Sequence, residues 1–175
     1  MGKIAPTKPV KLIVGFIFKD EQAFCRSKFL LIRRFGKIDF ESRVIPFTLT
    51  EYYQEEFGKD LSRVFVSFSK LIQPREITGI KILTNKIENR LSSKGHRLVN
   101  IDPGYLDLAK LILVSTKDYI HRVYLDKGIY AETTLFYRGK SFEAWQWTYP
   151  DFRTPEYIEI FNQIRELYAK QIKDK

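Results

Sequence analysis

Asn100 and Asp102, in "HRLVNIDPGYL", set an amide and a carboxylate two residues apart, on one face of a strand-like segment. A group that both donates and accepts, beside one that only accepts, can read the polar edge of a ligand. Pro103 follows directly, so Asp102 either caps a helix that starts there or faces a ligand. The densest polar stretch is "STKDYIHR", where Ser115, Thr116, Lys117, Asp118, His121 and Arg122 fall within eight residues. Lys117, His121 and Arg122 are the types that engage phosphate. Glu132 stands in mid-strand among apolar neighbours and needs a partner if it is covered, because an unpaired buried charge is very costly. Arg122, Lys117 and His121 are the candidates. Trp147 and Tyr149, in "WQWTYPDF", supply aromatic faces that either stack on a ligand or lid the core.

These residues support a pocket for an anionic small ligand, a nucleotide or phosphorylated metabolite. If the pocket is catalytic, phosphoester chemistry fits it: Asp102 and Glu132 would hold Mg²⁺ while His121 shuttles a proton. Two other readings remain open. A sheet with exposed aromatics and a basic rim can bind RNA, and a non-catalytic assembly subunit can carry the same polar residues as structural pairs. Taken singly each residue has a plain explanation: a cap for Asp102, a cross-strand ion pair for Glu132 with Arg122, a satisfied histidine for His121. Their concentration between Asn100 and Asp151 is the argument for a site.

Nucleotide motifs do not decide the matter. "TLFYRGKS" ends like a phosphate-binding loop at Gly139-Lys140-Ser141 but has Thr134 in place of the first glycine. "TNKIE" (Thr84 to Glu88) matches a guanine-reading motif only loosely and lies inside a helical pattern. One cysteine and two histidines leave no structural zinc site.

The elements that must position these groups can be traced along the chain. "VKLIVGFIF" has no polar alternation and predicts a central strand covered on both faces. Asp20 to Gly36 predicts a helix, capped by Asp20 and closed by the glycine. "IDFESRVIPF" predicts a strand, Thr50 to Gly58 a short helix, and "LSRVFVSFSKLI" a strand with Val64, Val66 and Phe68 on one face. Ile77, Ile80, Leu83, Ile87 and Leu91 recur at helical spacing, and His96 to Asp102 predicts a fourth strand. The order β-α-β-(short α)-β-α-β predicts an α+β fold, a ferredoxin-like βαββαβ sandwich. Leu106 to Ser115 fits either a helix or a buried strand. Tyr119 to Leu125 and Ile129 to Tyr137 flank "DKG" as a hairpin, with Tyr130, Glu132, Thr134 and Phe136 sharing a face. Pro155 to Lys170 predicts a terminal helix with Tyr157, Phe161, Ile164 and Tyr168 on one side.

The whole length, 175 residues, suits a single domain (1–175), and 44% hydrophobic with 29% charged residues is globular composition. No apolar run approaches the roughly 20 residues that cross a bilayer, and the start lacks the pattern of a secretion signal. With a lone Cys25, this predicts a cytoplasmic protein. The net charge of +9 draws polyanions without specifying one.

The combination "HRLVNIDPGYL", "LAKLILVSTKDYIHRVYL", "GIYAETTLFYRG" and "WTYPDF", with "TEYYQEEFG" and "IKILTNKIE", resembles a bacterial and archaeal family classed as a domain of unknown function. Members of that family sometimes carry a GTP-binding label. The resemblance covers nearly the whole chain and implies no catalytic residues. The phosphate-binding loop that such a label would imply is missing from this sequence.

Overall fold

Strand β1 (Lys11–Phe18) is buried at every position, as the apolar run from Leu12 to Phe18 requires, and it lies in the interior of the sheet. The computed structural model describes residues 2–48 and 57–173. Helix α1 (Glu21–Phe35) follows, with the Asp20 carboxylate accepting from the Ala23 amide at 2.8 Å and Gly36 closing it at φ +89°. The stretch expected as one strand is two, β2 (Ile38–Glu41) and β3 (Ile45–Phe47), both paired with β4 (Leu61–Phe68). Between them Ser42 bonds Phe65 through both its amide and its hydroxyl. The short helix expected from Thr50 to Gly58 falls largely outside the described residues.

Helix α2 (Ile77–Arg90) carries the expected apolar stripe, and β5 (Val99–Leu106) runs antiparallel to β1. Asp102 caps no helix: β5 continues straight through Pro103, and the ambiguous segment after it is strand β6 (Lys110–Ser115). Strands β7 (Val123–Asp126) and β8 (Ile129–Arg138) form the expected hairpin around Lys127 and Gly128, both with positive φ. The first arm is shorter than expected, because Tyr119 to Arg122 make a turn closed by the Arg122 amide on the Tyr119 carbonyl. Gly139 and Lys140 are the tight turn from β8 into β9 (Ser141–Ala144), not a phosphate loop. Helix α3 (Pro155–Lys173) ends the chain.

The protein is α+β, an open antiparallel sheet of nine strands with three helices among the described residues. The sheet order is β2-β4-β1-β5-β6-β8-β7, with β3 on β4 and β9 on β8. It is therefore much wider than a four-stranded sandwich. Leu12, Val14, Phe16 and Phe18 of β1 pack with Phe24 and Leu31 of α1 and Ile80 and Ile87 of α2. Ile13 and Phe65 look the other way, onto Tyr157, Phe161, Ile164 and Tyr168 of α3. Helices thus cover both faces of the central strands. No helix among the described residues is long and apolar enough to cross a membrane.

One glycine fixes how β5 meets β6. A Cβ on Gly104 would overlap the Ile112 carbonyl oxygen of the neighbouring strand. Gly104→Ala should therefore lower stability by about 1–3 kcal/mol, read as a fall in the urea midpoint. An unchanged midpoint would mean that the two strands do not approach so closely.

Candidate functional site

Strands β5 and β6 pair only through Gly104, Tyr105 and Leu106. Beyond that point β5 stays on β1 while β6 follows β8, and a gap opens in the sheet. The cause lies in the sequence. Pro103 has no N–H to offer on the edge that faces β6, so the ladder stops at Gly104. The next backbone groups on that edge belong to Ile101, and side chains of α2 satisfy them. Glu88 Oε1 accepts from the Ile101 amide at 2.5 Å, and Lys81 Nζ donates to the Ile101 carbonyl at 3.2 Å. Two charged side chains replace one rung of a sheet.

The gap is the mouth of a cavity of about 440 Å³. On the β5 side stand Asn100 and Asp102, with Asn100 Nδ2 donating to Asp102 Oδ2 at 2.6 Å. Arg97 bonds both Asn100 Oδ1, at 2.8 Å, and Glu88 Oε2, at 3.2 Å. Lys81 reaches Asp102 Oδ1 at 3.4 Å. Burial pushes the Glu88 carboxyl above the ordinary carboxylate range, against Lys81, the Ile101 amide and Arg97, which favour its charge.

That shift has a sign that can be tested. Folded Glu88 keeps its proton to higher pH than the unfolded chain, whose value is near 4.5. Above that pH the folded state binds the extra proton, so stability falls as pH rises until folded Glu88 has ionised. Glu88→Gln removes this contribution. Its urea midpoint should gain on the wild type as pH is raised from 4.5 toward neutrality, and a constant difference would contradict the assignment.

Deeper in the cavity lies Arg63 of β4, 2% exposed, beneath the rings of Phe47, Phe65 and Phe152 at 4.6 to 5.7 Å. Gly15 makes room for it, since a Cβ there would stand 3.0 Å from the guanidinium. Among the described residues its one ion pair within 4 Å is with Asp102, at 3.9 Å, too long for a hydrogen bond, and its Nε is buried without a partner. Asp151 faces the same end from the loop before α3. Burial raises its carboxyl pKa, Asp102 raises it further and the Arg63 charge lowers it.

The outer wall is built on Glu132. Its Oε2 accepts from Arg122 Nε at 2.8 Å and meets His121 Nε2 at 3.1 Å, and Thr134 Oγ1 donates to Oε1 at 3.3 Å. Arg122 also bonds the Lys117 carbonyl at 2.9 Å, the Tyr149 hydroxyl at 2.7 Å and Ser115 Oγ at 3.3 Å. Burial works against the Arg122 charge, but Glu132 and Tyr149 outweigh it and its pKa is raised. This arginine therefore braces the wall. A bulge shapes the same wall: β6 pairs Leu135 and then Thr133, skipping Thr134. Thr148 Oγ1 donates to the displaced Thr134 carbonyl at 2.6 Å. The bulge breaks the face expected to join Glu132 with Phe136. Glu132 and Thr134 are buried, followed at once by Leu135.

Of the residues expected at a site, the fold brings Asn100, Asp102, Lys117, Arg122, Glu132 and Tyr149 onto this cavity. His121 sits behind Glu132. Trp147 stacks between His121 and Trp145 and donates to the Thr133 carbonyl, away from the lining, and Asp118 is exposed outside it. Glu132 is committed to Arg122 and His121. No group of three metal-ligating side chains gathers among the described residues. Arg63, Lys81, Glu88 and Arg97 were not foreseen from the sequence, and Asp151 was marked there only as the end of the polar stretch. Two signals were available: Arg63 alternates in phase with buried Phe65, and Lys81, Asn85 and Glu88 form a polar stripe at helical spacing on α2.

The family model for Domain of unknown function (DUF4416) matches residues 8–168. The chain belongs to that family. The matched span includes every residue of the cavity described above. Neither a curated protein nor a solved structure matches the chain.

Proposed function

We propose that this DUF4416 member binds an anionic small molecule, a nucleotide or phosphorylated metabolite, in the cavity between β5 and β6. One observation carries the reading. Cationic side chains from four separate parts of the chain (Arg63, Lys81, Arg97, and Lys117 with Arg122) converge on one hollow at a gap in the sheet. Such a gap has a structural cost, since a continuous ladder would satisfy the backbone without charged side chains. The cavity's size suits a metabolite. Lys117 is exposed at the rim, where a phosphate keeps part of its hydration, and Tyr149 offers an aromatic face beside it. If the site is catalytic, phosphoester chemistry is the reaction class. The exposed thiol of Cys25 suits a cytoplasmic setting.

The RNA reading calls for an open sheet face, and the central strands have helices on both sides. Calorimetric titration with adenosine monophosphate tests the preferred reading. The wild-type chain should bind it, and Lys117→Ala should weaken binding by about ten-fold, the effect of losing one charge-assisted contact. Unaltered affinity in the variant, or no binding to the wild type, would oppose the proposal. Tighter binding of a polynucleotide with a steep salt dependence would favour RNA instead.

A further inference from the structure

The inner end of the cavity holds charges of both signs that do not satisfy one another. Arg63 has five N–H donors, and among the described residues its closest carboxylate oxygen lies 3.9 Å away on Asp102. Asp151, 8% exposed, lies within reach of both charges but forms no ion pair with Arg63 within 4 Å. Asp102 is already oriented by Asn100 and Lys81, and its side chain remains 27% exposed. Phe47, Phe152 and Ile17 complete this end with apolar surface.

Few chemical groups suit such a setting. A phosphate or carboxylate would gain Arg63 but meet two carboxyl groups, and an ammonium would meet the guanidinium. A neutral group that donates from one atom and accepts at the next relieves both signs at once. Adjacent hydroxyls on a saturated ring do this, while the ring carbons lie against phenylalanine. We propose that the inner end receives the vicinal diol of a sugar, with Arg63 donating to one hydroxyl and Asp102 and Asp151 accepting from the pair. The inference rests on the anionic-ligand reading, and together they describe a sugar phosphate or nucleotide whose diol lies inward and whose phosphate faces Lys117. No group on the ligand has to be charged where it meets Asp102.

Ribose 5-phosphate and pentyl phosphate carry the same charge at similar length, and only the first has the diol. The full chain should bind ribose 5-phosphate about ten-fold more tightly, and Asp151→Asn should reduce that preference toward unity while binding pentyl phosphate no worse. Far-UV circular dichroism checks that the variant folds, and the wild-type comparison stands without it. Equal affinity for both probes would overturn the diol and leave the anion site intact. Failure of both to bind, at concentrations where inorganic phosphate binds, would also overturn it. Failure of all three would remove the anion site as well. Adenosine monophosphate, run alongside, separates a nucleotide source of the diol from a free sugar phosphate, and a preference for either supports the proposal.

Discussion

Arg122→Ala lowers the free energy of unfolding by about 3–5 kcal/mol, the usual cost of stranding one member of a buried ion pair. The side chains of Arg122 and Glu132 are 6% and 3% exposed, so the carboxylate left behind has little water to turn to. His121 remains 3.1 Å away, but its Nδ1 is buried with no partner among the described residues, and one ring nitrogen does not replace the guanidinium. The same substitution frees the Lys117 carbonyl and the Tyr149 hydroxyl, so the rim loosens together with the wall. Urea denaturation at neutral pH measures the loss. Pairing Arg122→Met with Glu132→Leu should recover most of it, since an apolar pair of similar volume needs no charge compensation. A loss under about 1 kcal/mol would mean that the pair behaves as a solvated surface contact.

Phe161→Ala costs a similar amount, about 3–5 kcal/mol, through the cavity it leaves. The ring has no exposure and lies 5.1 Å from Phe65 and 5.7 Å from Phe152, centre to centre. Those two rings lie against the Arg63 guanidinium, so the change reaches the candidate site as well as the core. Ligand affinity should fall beyond any effect of global unfolding, read by titration well below the melting temperature. Phe161→Leu, which keeps most of the volume, should lose far less of both. Equal losses for Ala and Leu would argue that the helix α3 contact contributes by shape rather than by filling space.

How much of this was visible beforehand depended on whether the signal was local. Asp20 and Gly36 mark the ends of α1 because capping is decided by the chemistry of a few neighbouring residues. The Lys127-Gly128 turn is legible for the same reason. Pro103 misled: after an aspartate it signals a helix start, yet here it ends pairing on one edge of a continuing strand. A proline's missing donor serves either purpose, and only the partner strand decides between them. The Thr134 bulge was equally hidden, because a skipped residue depends on the register of β6. Around the cavity, Asn100 and Asp102 were legible from their alternation, and Glu132 from being a charge in an apolar strand. Arg63, Lys81 and Glu88 come from β4 and α2, far away in sequence, and meet the others through a gap that no local pattern predicts.

Backbone amide NMR during titration with adenosine monophosphate tests the central claim most directly. Shifts should be confined to the walls of the gap: Ile101 and Asp102 on β5, Ser115 to Lys117 at the end of β6, and Phe152 above Arg63. Absence of shifts at millimolar ligand, or shifts gathered instead on the outer side of α1, where Arg26, Arg33 and Arg34 are exposed, would contradict binding at the gap.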